Sequence, residues 1–99
     1  MGDYNYFVYI TTNPTKTTLY IGITNNLGRR LTEHHESRGD DSTFVGRYHC
    51  YNLIYCEVYD NIEDAIRREK EIKKWRREKK EKLIEEQNPD WRFMNNEIL

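Results

Sequence analysis

The strongest constraint on the fold is a pair of β-rich segments that a turn separates near the start of the chain. Residues 4–11 alternate in polarity around apolar side chains, and residues 18–23 form a second β-rich run. Between them, Asn13-Pro14-Thr15 supplies residue types that favour turns. The sequence therefore predicts an antiparallel β-hairpin as the first unit of the fold.

Helical spacing follows this hairpin. Leu27, Leu31 and His34 recur at the intervals that line one face of a helix, and Asn25 or Asn26 can cap its first turn. We therefore expect a helix to begin near residue 26.

After the first helix, the sequence predicts a loop over residues 37–43 and a third strand over residues 51–59. It then predicts a helix that begins near Ile62. Basic residues interrupt the apolar stripe of that helix, so the helix should break or leave the core near Trp75. Asn88-Pro89 should end the last helical stretch, because a residue before proline disfavours the α conformation. The stripe consists of Ile62, Ala65, Ile66 and Ile72.

These elements predict an α+β fold in the order β-β-α-β-α-α, with a small, mostly antiparallel three-stranded sheet flanked by helices. A chain of 99 residues can bury one modest core, so we expect a single domain over residues 1–99.

Positive charge is concentrated in one segment. The formal net charge of the chain is −1, yet residues 67–82 contain ten Lys or Arg and four Glu, a local excess of six positive charges. Such a segment indicates a local contact with phosphates, because counterion release depends on the charges that touch a nucleic acid. The alternative is a solvated helix whose own Lys, Arg and Glu side chains pair.

The sequence argues against a membrane location. No apolar run approaches the roughly 20 residues of a membrane span. Residues 1–4 lack the layout of a secretory signal, so we expect a cytoplasmic protein without a membrane partner. Cys50 and Cys56 lack the spacing of a metal or redox pair, and we assign them no role.

Tyr9 and Tyr20 are the first candidate site residues. A hairpin centred between Pro14 and Thr15 would place them directly opposite each other, with both phenols on one face of the sheet. The alternative interpretation is an ordinary aromatic pair in the core.

Arg30 and His34 lie four residues apart on the first predicted helix, so they share a face that borders the core. The arginine would hold a phosphate oxygen and the imidazole would move a proton. A helix edge in which the arginine pairs with an acid explains the same pattern.

Successive residues of an α-helix are rotated by about 100°, and this spacing places Glu69 on the apolar stripe of the second predicted helix. A carboxylate that faces a core must be paired, hydrogen-bonded or bound to a metal. The two interpretations are a functional acid and an ion pair with Lys73 at the margin of the core.

In their order and spacing, these positions resemble the GIY-YIG nuclease domain, and the resemblance covers nearly the whole chain. It is closest to the small stand-alone members, which are related to the N-terminal nuclease domain of the excinuclease that acts in DNA repair. The segments that carry it are Phe7-Val8-Tyr9, Tyr20-Ile21-Gly22, Arg30-x-x-x-His34, Ala65-Ile66-Arg67-Arg68-Glu69 and Asn88.

The resemblance implies an endonuclease that hydrolyses phosphodiester bonds with one Mg²⁺ or Mn²⁺ bound by Glu69. It also implies that Tyr9 takes a proton from the attacking water, while Tyr20 fixes its geometry. Arg30 would steady the phosphate charge, and His34 would assist proton transfer. One carboxylate suits a metal that keeps most of its waters.

The resemblance also assigns a supporting catalytic role to Asn88, although a helix end before proline explains that residue as well. The chain departs from the family at Phe7, where the first glycine of the motif is replaced. It departs again at Ile23, where DNA-repair members commonly carry a lysine. Either that phosphate contact is missing, or another residue such as Arg47 supplies it.

The expected partner is a nucleic acid, DNA in preference to RNA. Its specificity would be low, or a protein partner would supply it. A binding module without cleavage and a protein-interaction domain that uses the basic helix are the two alternatives. The expected phosphate contacts are Arg47, Lys73, Lys74, Arg76, Arg77 and Lys80.

Overall fold

The computed structural model of the chain describes residues 5–99 and has an α+β architecture, as predicted. The predicted start of the first strand at Tyr4 lies outside the described residues. Two short helices, Phe44–Tyr48 and Asn95–Ile98, were not predicted. The elements are β1 (Tyr6–Thr12), β2 (Leu19–Thr24), α1 (Leu27–Glu36), α2 (Phe44–Tyr48), β3 (Asn52–Tyr59), α3 (Ile62–Lys74), α4 (Arg77–Gln87) and α5 (Asn95–Ile98).

The three strands form one antiparallel sheet in the order β2-β1-β3. A bulge in the β1–β3 pairing places Tyr55 opposite Ile10 but Leu53 opposite Thr11, so one residue of β3 is extra. Alternate residues of a regular strand share a face, and the bulge breaks this rule. As a result Leu53 packs on the side of the sheet that carries Tyr9, whereas Tyr55 packs on the other side.

The hairpin register differs from the predicted one. Tyr9 lies opposite Gly22 and Tyr20 lies opposite Thr11, so the two tyrosines are diagonal neighbours on one face. The turn is longer than predicted because the Asn13 side chain organises it. Its Oδ1 accepts hydrogen bonds from the backbone N–H groups of residues 17 and 18, at 2.8 and 3.0 Å.

Two apolar clusters pack on the two faces of the sheet. The larger cluster joins the strands to α3 and α4 through Ala65, Ile72 and Ile84. The smaller one joins Tyr9 and Leu53 to α1, through Leu27 and Leu31.

Helices α1 and α3 both begin at an asparagine cap, and Asn26 is one of the two caps predicted for α1. Asn26 accepts a hydrogen bond from Arg29 N at the start of α1, and Asn61 caps α3 in the same way. The helical stretch breaks at Trp75 and ends before Asn88, as expected. Within residues 5–99, no helix is both long enough and apolar enough to cross a bilayer.

The predicted apolar stripe of α3 is only partly correct. Ala65 and Ile72 are completely buried, but Ile62 and Ile66 are 47% and 37% exposed. The buried face of α3 therefore contains positions that are seven residues apart, and Ile62 and Ile66 lie at its margin. Glu69 lies on this buried face, and its side chain is only 14% exposed.

Candidate active site

The site is built around a hydrogen bond between a strand and a helix. The hydroxyl of Tyr9 on β1 lies 2.9 Å from Nε2 of His34 on α1. The ring of Tyr20 on β2 completes the cluster, with its centroid 6.2 Å from that of Tyr9 and 5.7 Å from that of His34. Three side chains that are distant in the sequence thus meet at one face of the sheet.

Gly22 makes room for this cluster. A Cβ atom at this position would lie 2.5 Å from Cζ and the hydroxyl oxygen of Tyr9, and 2.9 Å from Cε2 of Tyr20. Real Cβ atoms do not approach other heavy atoms this closely, so the phenol of Tyr9 rests directly on the backbone of β2. The glycine of the YIG triplet is therefore a packing requirement of the site.

Burial keeps both partners of the hydrogen bond neutral. Burial, and next the neighbouring Tyr20, raise the pKa of the Tyr9 phenol well above its usual value. Burial, and next the positive charge of Arg30, lower the pKa of His34 to about 4. At neutral pH the phenol is therefore protonated and the imidazole is neutral, and the Nδ1–H tautomer of His34 lets Nε2 accept the phenolic hydrogen.

A cleft of about 340 Å³ opens beside the cluster. Arg30 lies on its wall with a side chain that is 42% exposed, and its guanidinium is 3.8 Å from the Glu33 carboxylate. An exposed pair at this separation holds the arginine weakly, so an anion can recruit it. The lining residues are Tyr20, Arg30, Glu33, His34, Ser37, Thr43, Phe44 and Val45.

Glu69 lies on α3, the helix that packs on the other face of the sheet from Tyr9. Its Oε2 atom is 3.0 Å from Nζ of Lys73, so the ion pair considered from the sequence is present. None of the hydrogen bonds among residues 5–99 joins Glu69 to the tyrosine–histidine cluster.

The donor set at Glu69 fits one class of metal ion. Residues 5–99 contain no group of three or more His, Cys, Asp or Glu side chains that would enclose a cation. A closed site with four protein ligands, as structural zinc requires, is therefore excluded for this part of the chain. A single, nearly buried carboxylate fits Mg²⁺ or Mn²⁺, which retain several waters, provided that the ion displaces Lys73.

Asn88 is occupied by structural contacts. The residue is only 2% exposed, and its Nδ2 donates to the carbonyls of Ile54 and Arg92 at 3.0 and 2.9 Å. Its Oδ1 accepts from the N–H of Arg92 at 3.0 Å. These bonds tie the chain after α4 to β3. Asn88 also ends α4, which is the structural explanation considered from the sequence.

The basic segment is partly neutralised by its own acids. Arg77 is the clearest case, because its guanidinium donates to the carbonyls of Thr17 and Lys16 at 2.7 and 3.2 Å and pairs with Glu81 at 2.9 Å. Arg77 therefore holds the β1–β2 turn and is not a free cation.

Of the other expected phosphate contacts, Lys73 pairs with Glu69 and Arg76 lies 3.8 Å from Glu78. Within residues 5–99, Lys74 and Lys80 have no ion-pair partner. Arg47 is separate from this segment: it lies on α2, near the cleft, 5.7 Å from the centroid of the Tyr48 ring.

Gly22 and the aromatic side chains of α2 were not identified from the sequence as site residues. Gly22 is two residues after Tyr20 and so shares its face, a signal that strand periodicity contains. Phe44 and Tyr48 are four residues apart after Thr43, whose hydroxyl caps α2, but a five-residue helix gives too short a pattern to stand out.

Comparison with known proteins identifies the family of the chain. A family model of the GIY-YIG catalytic domain matches residues 5–82. A UPF0213 protein of Haloquadratum walsbyi is 41% identical over 86 residues, which cover 87% of this chain and 92% of the relative. A UPF0213 protein of Staphylococcus aureus is 35% identical over 82 residues, which cover 83% and 96%. The solution NMR structure of a UPF0213 protein from Bacillus halodurans covers 93% of both chains, with a TM-score of 0.57 and 29% identity. The chain therefore belongs to the GIY-YIG nuclease family, among proteins similar to the small UPF0213 members.

Proposed function

We propose that this protein is a divalent-metal-dependent endonuclease that hydrolyses phosphodiester bonds. The observation that carries the proposal is the 2.9 Å hydrogen bond between the buried Tyr9 hydroxyl and Nε2 of the neutral His34, beside a cleft that Arg30 lines. Membership of a nuclease family supports the same conclusion.

The residues of the cluster can move a proton without a resident phenolate. Since the pKa of Tyr9 is raised, the phenol becomes a base only as it passes its own proton to another group. Nε2 of His34 is that group, because it carries no proton in the Nδ1–H tautomer of the neutral imidazole and already lies within hydrogen-bond distance. Tyr9 would then take a proton from the attacking water while His34 receives the phenolic proton.

The other residues act on the phosphate. Arg30 would place its guanidinium on a non-bridging oxygen, where charge increases in the transition state. Tyr20 would restrict the position of the water from its place in the cleft wall. Phosphate contacts further along the strand would come from cations without ion-pair partners within residues 5–99, such as Lys74 and Lys80.

Glu69 would hold a hydrated Mg²⁺ or Mn²⁺. Such an ion would supply positive charge to the phosphate and to the leaving oxygen. The substrate would have to reach both the cleft and α3, because α3, which carries Glu69, packs on the opposite face of the sheet from Tyr9. DNA is the preferred substrate in this proposal, and a protein partner would add specificity.

A cleavage panel tests the proposal. Supercoiled plasmid, branched DNA and structured RNA would each be incubated with the protein in Mg²⁺, in Mn²⁺ and in EDTA. Cleavage of at least one substrate by wild type in metal, but not by Tyr9→Phe and not in EDTA, is the expected result. Binding without cleavage of any substrate in either metal would contradict it.

One observation favours a second candidate, a nucleic-acid-binding module without cleavage. The ion pair with Lys73 satisfies the Glu69 carboxylate without any metal. Such a module would bind the same panel equally well in metal and in EDTA and would cut nothing.

A further inference from the structure

Helix α2 carries two half-exposed aromatic side chains next to the candidate active site. Phe44 is 46% exposed and Tyr48 is 43% exposed, and their ring centroids are 4.7 Å apart. Adjoining apolar rings that face solvent are typical of an interaction surface.

These rings continue the cluster of the active site. The Phe44 ring lies 5.9 Å from the Tyr20 ring, which in turn lies 5.7 Å from His34 and 6.2 Å from Tyr9. A continuous series of rings therefore leads from the buried phenol of Tyr9 to the surface at Tyr48.

Positive charge accompanies the series at both ends. Arg30 lines the same cleft as Phe44, and Arg47 lies against the ring of Tyr48 at 5.7 Å. Glu33 is the one acidic residue among the side chains that line the described cleft, and it is already paired with Arg30. Exposed rings flanked by arginines are complementary to a nucleotide, whose base stacks and whose phosphate is anionic.

We propose that Phe44 and Tyr48 stack on an unpaired nucleobase beside the scissile phosphate, so that the preferred substrate is single-stranded at the cleavage point. This inference rests on the proposed function for the position of the scissile phosphate. A base within a duplex already stacks on its neighbours and must leave the helix before a protein ring can contact it. Single strands, flaps and loops are therefore preferred over continuous duplex.

The stacking surface predicts little sequence preference. Every base has a π face, and neither ring carries the set of hydrogen-bond donors and acceptors that distinguishes one base edge from another. The surface therefore selects a structural feature of the substrate, the absence of pairing.

The test is a fluorescence titration in EDTA, so that binding is measured without cleavage. An oligonucleotide with 2-aminopurine would be offered as single-stranded DNA, as single-stranded RNA and as a duplex. Wild type should quench the fluorescence of at least one single strand and leave the duplex nearly unchanged. Phe44→Leu with Tyr48→Leu should weaken single-strand binding about fivefold or more and remove the quenching, because leucine keeps apolar volume but lacks a π face.

A matched control is Phe93→Leu. Phe93 is 42% exposed, close to the value of Phe44, and its ring contacts Lys16 at 5.3 Å rather than the site. This variant should bind and quench like wild type. The DNA and RNA arms identify which backbone the neighbouring arginines accept.

Three results would overturn the inference. They are unchanged quenching in the double leucine variant, equal quenching of single strand and duplex, and a wild-type dimer that the double variant converts to a monomer. The last would show that a second copy of the chain covers the rings.

Cleavage assays in Mg²⁺ or Mn²⁺ separate this inference from the proposed function. Quenching by wild type that needs both rings, without any cleavage, would support base stacking and contradict the nuclease. Equal cleavage of paired and unpaired substrates by wild type and by Phe44→Leu would support the nuclease and contradict base stacking.

Discussion

The hydroxyl of Tyr9 and Nε2 of His34 lie 2.9 Å apart in a place where neither side chain carries charge at neutral pH. Burial raises the pKa of the phenol and lowers that of the imidazole, so it stabilises the neutral form of each. A neutral donor and acceptor in contact can pass on a proton that enters from the cleft. This property distinguishes the pair from a tyrosine that only packs.

Removal of the Tyr9 hydroxyl should abolish most cleavage and leave the fold intact. Tyr9→Phe keeps the ring but loses one hydrogen bond, which changes the free energy of unfolding by about 1 kcal/mol. The cleavage rate should fall by about 10² to 10⁴, as for a lost proton-transfer group. Tyr51→Phe is the control, because Tyr51 forms a hydroxyl–imidazole pair with His49 outside the site. Equal rates for wild type and Tyr9→Phe would remove Tyr9 from the mechanism.

The protein should become less stable as the pH falls from about 6.5 towards 4. The pKa of His34 is about 4 in the folded protein and 6.5 in the unfolded chain. Between these two pH values, only the unfolded chain binds a proton at His34. The contribution of neutral His34 to the free energy of unfolding is fully present above pH 6.5 and is lost as the pH falls towards 4. This contribution is on the order of 2 kcal/mol after allowance for solvent screening.

Urea denaturation at several pH values measures this effect. His34→Gln should lose the His34 contribution to the pH dependence, whereas His35→Gln, which changes an exposed neighbour, should keep it. Parallel pH profiles for wild type and His34→Gln would show that burial of His34 does not control the profile.

Gly22→Ala should damage the site through packing alone. The added methyl group would lie 2.5 Å from the Tyr9 hydroxyl oxygen, so the ring must move and the contact with His34 is lost. We expect a cost of about 1 to 3 kcal/mol and a loss of cleavage similar to that of Tyr9→Phe. Gly28→Ala is the control: its Cβ would meet nothing closer than 3.8 Å, and alanine favours the helix. A fully active Gly22→Ala protein would mean that the ring position is not critical.

Local sequence signals were sufficient for much of the fold. Asn26 was one of the two caps predicted for α1 and does begin that helix, and the break at Trp75 follows from basic residues on an apolar stripe. The hairpin itself was predicted, but its register was wrong. The reason is that Asn13 bonds to backbone groups four and five residues ahead, an interaction that turn propensities do not contain.

The site was predictable only to the extent that its residues form sequence motifs. His34 was identified by helical spacing, yet its contact with Tyr9 depends on how α1 packs on the sheet. The role of Arg77 depends on a contact with residues 16 and 17, 60 positions away, and no local pattern indicates such a contact.

Salt dependence should locate the phosphate contacts on α3 and α4. Lys74, Lys80 and Lys82 have no ion-pair partner within residues 5–99. Replacing all three with Ala should reduce the slope of log K against log salt for duplex DNA by up to about 2.7, because each lost phosphate contact on a duplex removes about 0.9. Arg77→Ala is the control: it should cost about 1 to 2 kcal/mol of stability and leave the slope unchanged. An unchanged slope in the triple variant would place the contacts elsewhere, Arg47 being the next candidate.

Glu69→Gln separates a metal ligand from an ion-pair partner. If Glu69 only pairs with Lys73, the amide should cost little stability and cleavage should survive. If Glu69 binds the metal, the neutral oxygen of Gln attracts the ion weakly, and cleavage should disappear while the fold holds. Saturating Mn²⁺ should then raise the melting temperature of wild type, because the ion binds only the native state, and should leave that of Glu69→Gln unchanged.

Two further variants refine this test. Glu81→Gln removes another carboxylate that pairs four residues away, with Arg77 at 2.9 Å, and should keep both cleavage and the response to Mn²⁺. Lys73→Met removes the cation that competes at Oε2 of Glu69, so it should increase the effect of Mn²⁺ on melting. Melting curves with and without Mn²⁺, recorded beside plasmid cleavage, measure all of these variants together. Cleavage that persists in Glu69→Gln would contradict the metal assignment, whatever the melting curves show, because residues 5–99 contain no group of three or more His, Cys, Asp or Glu side chains that could hold the ion instead.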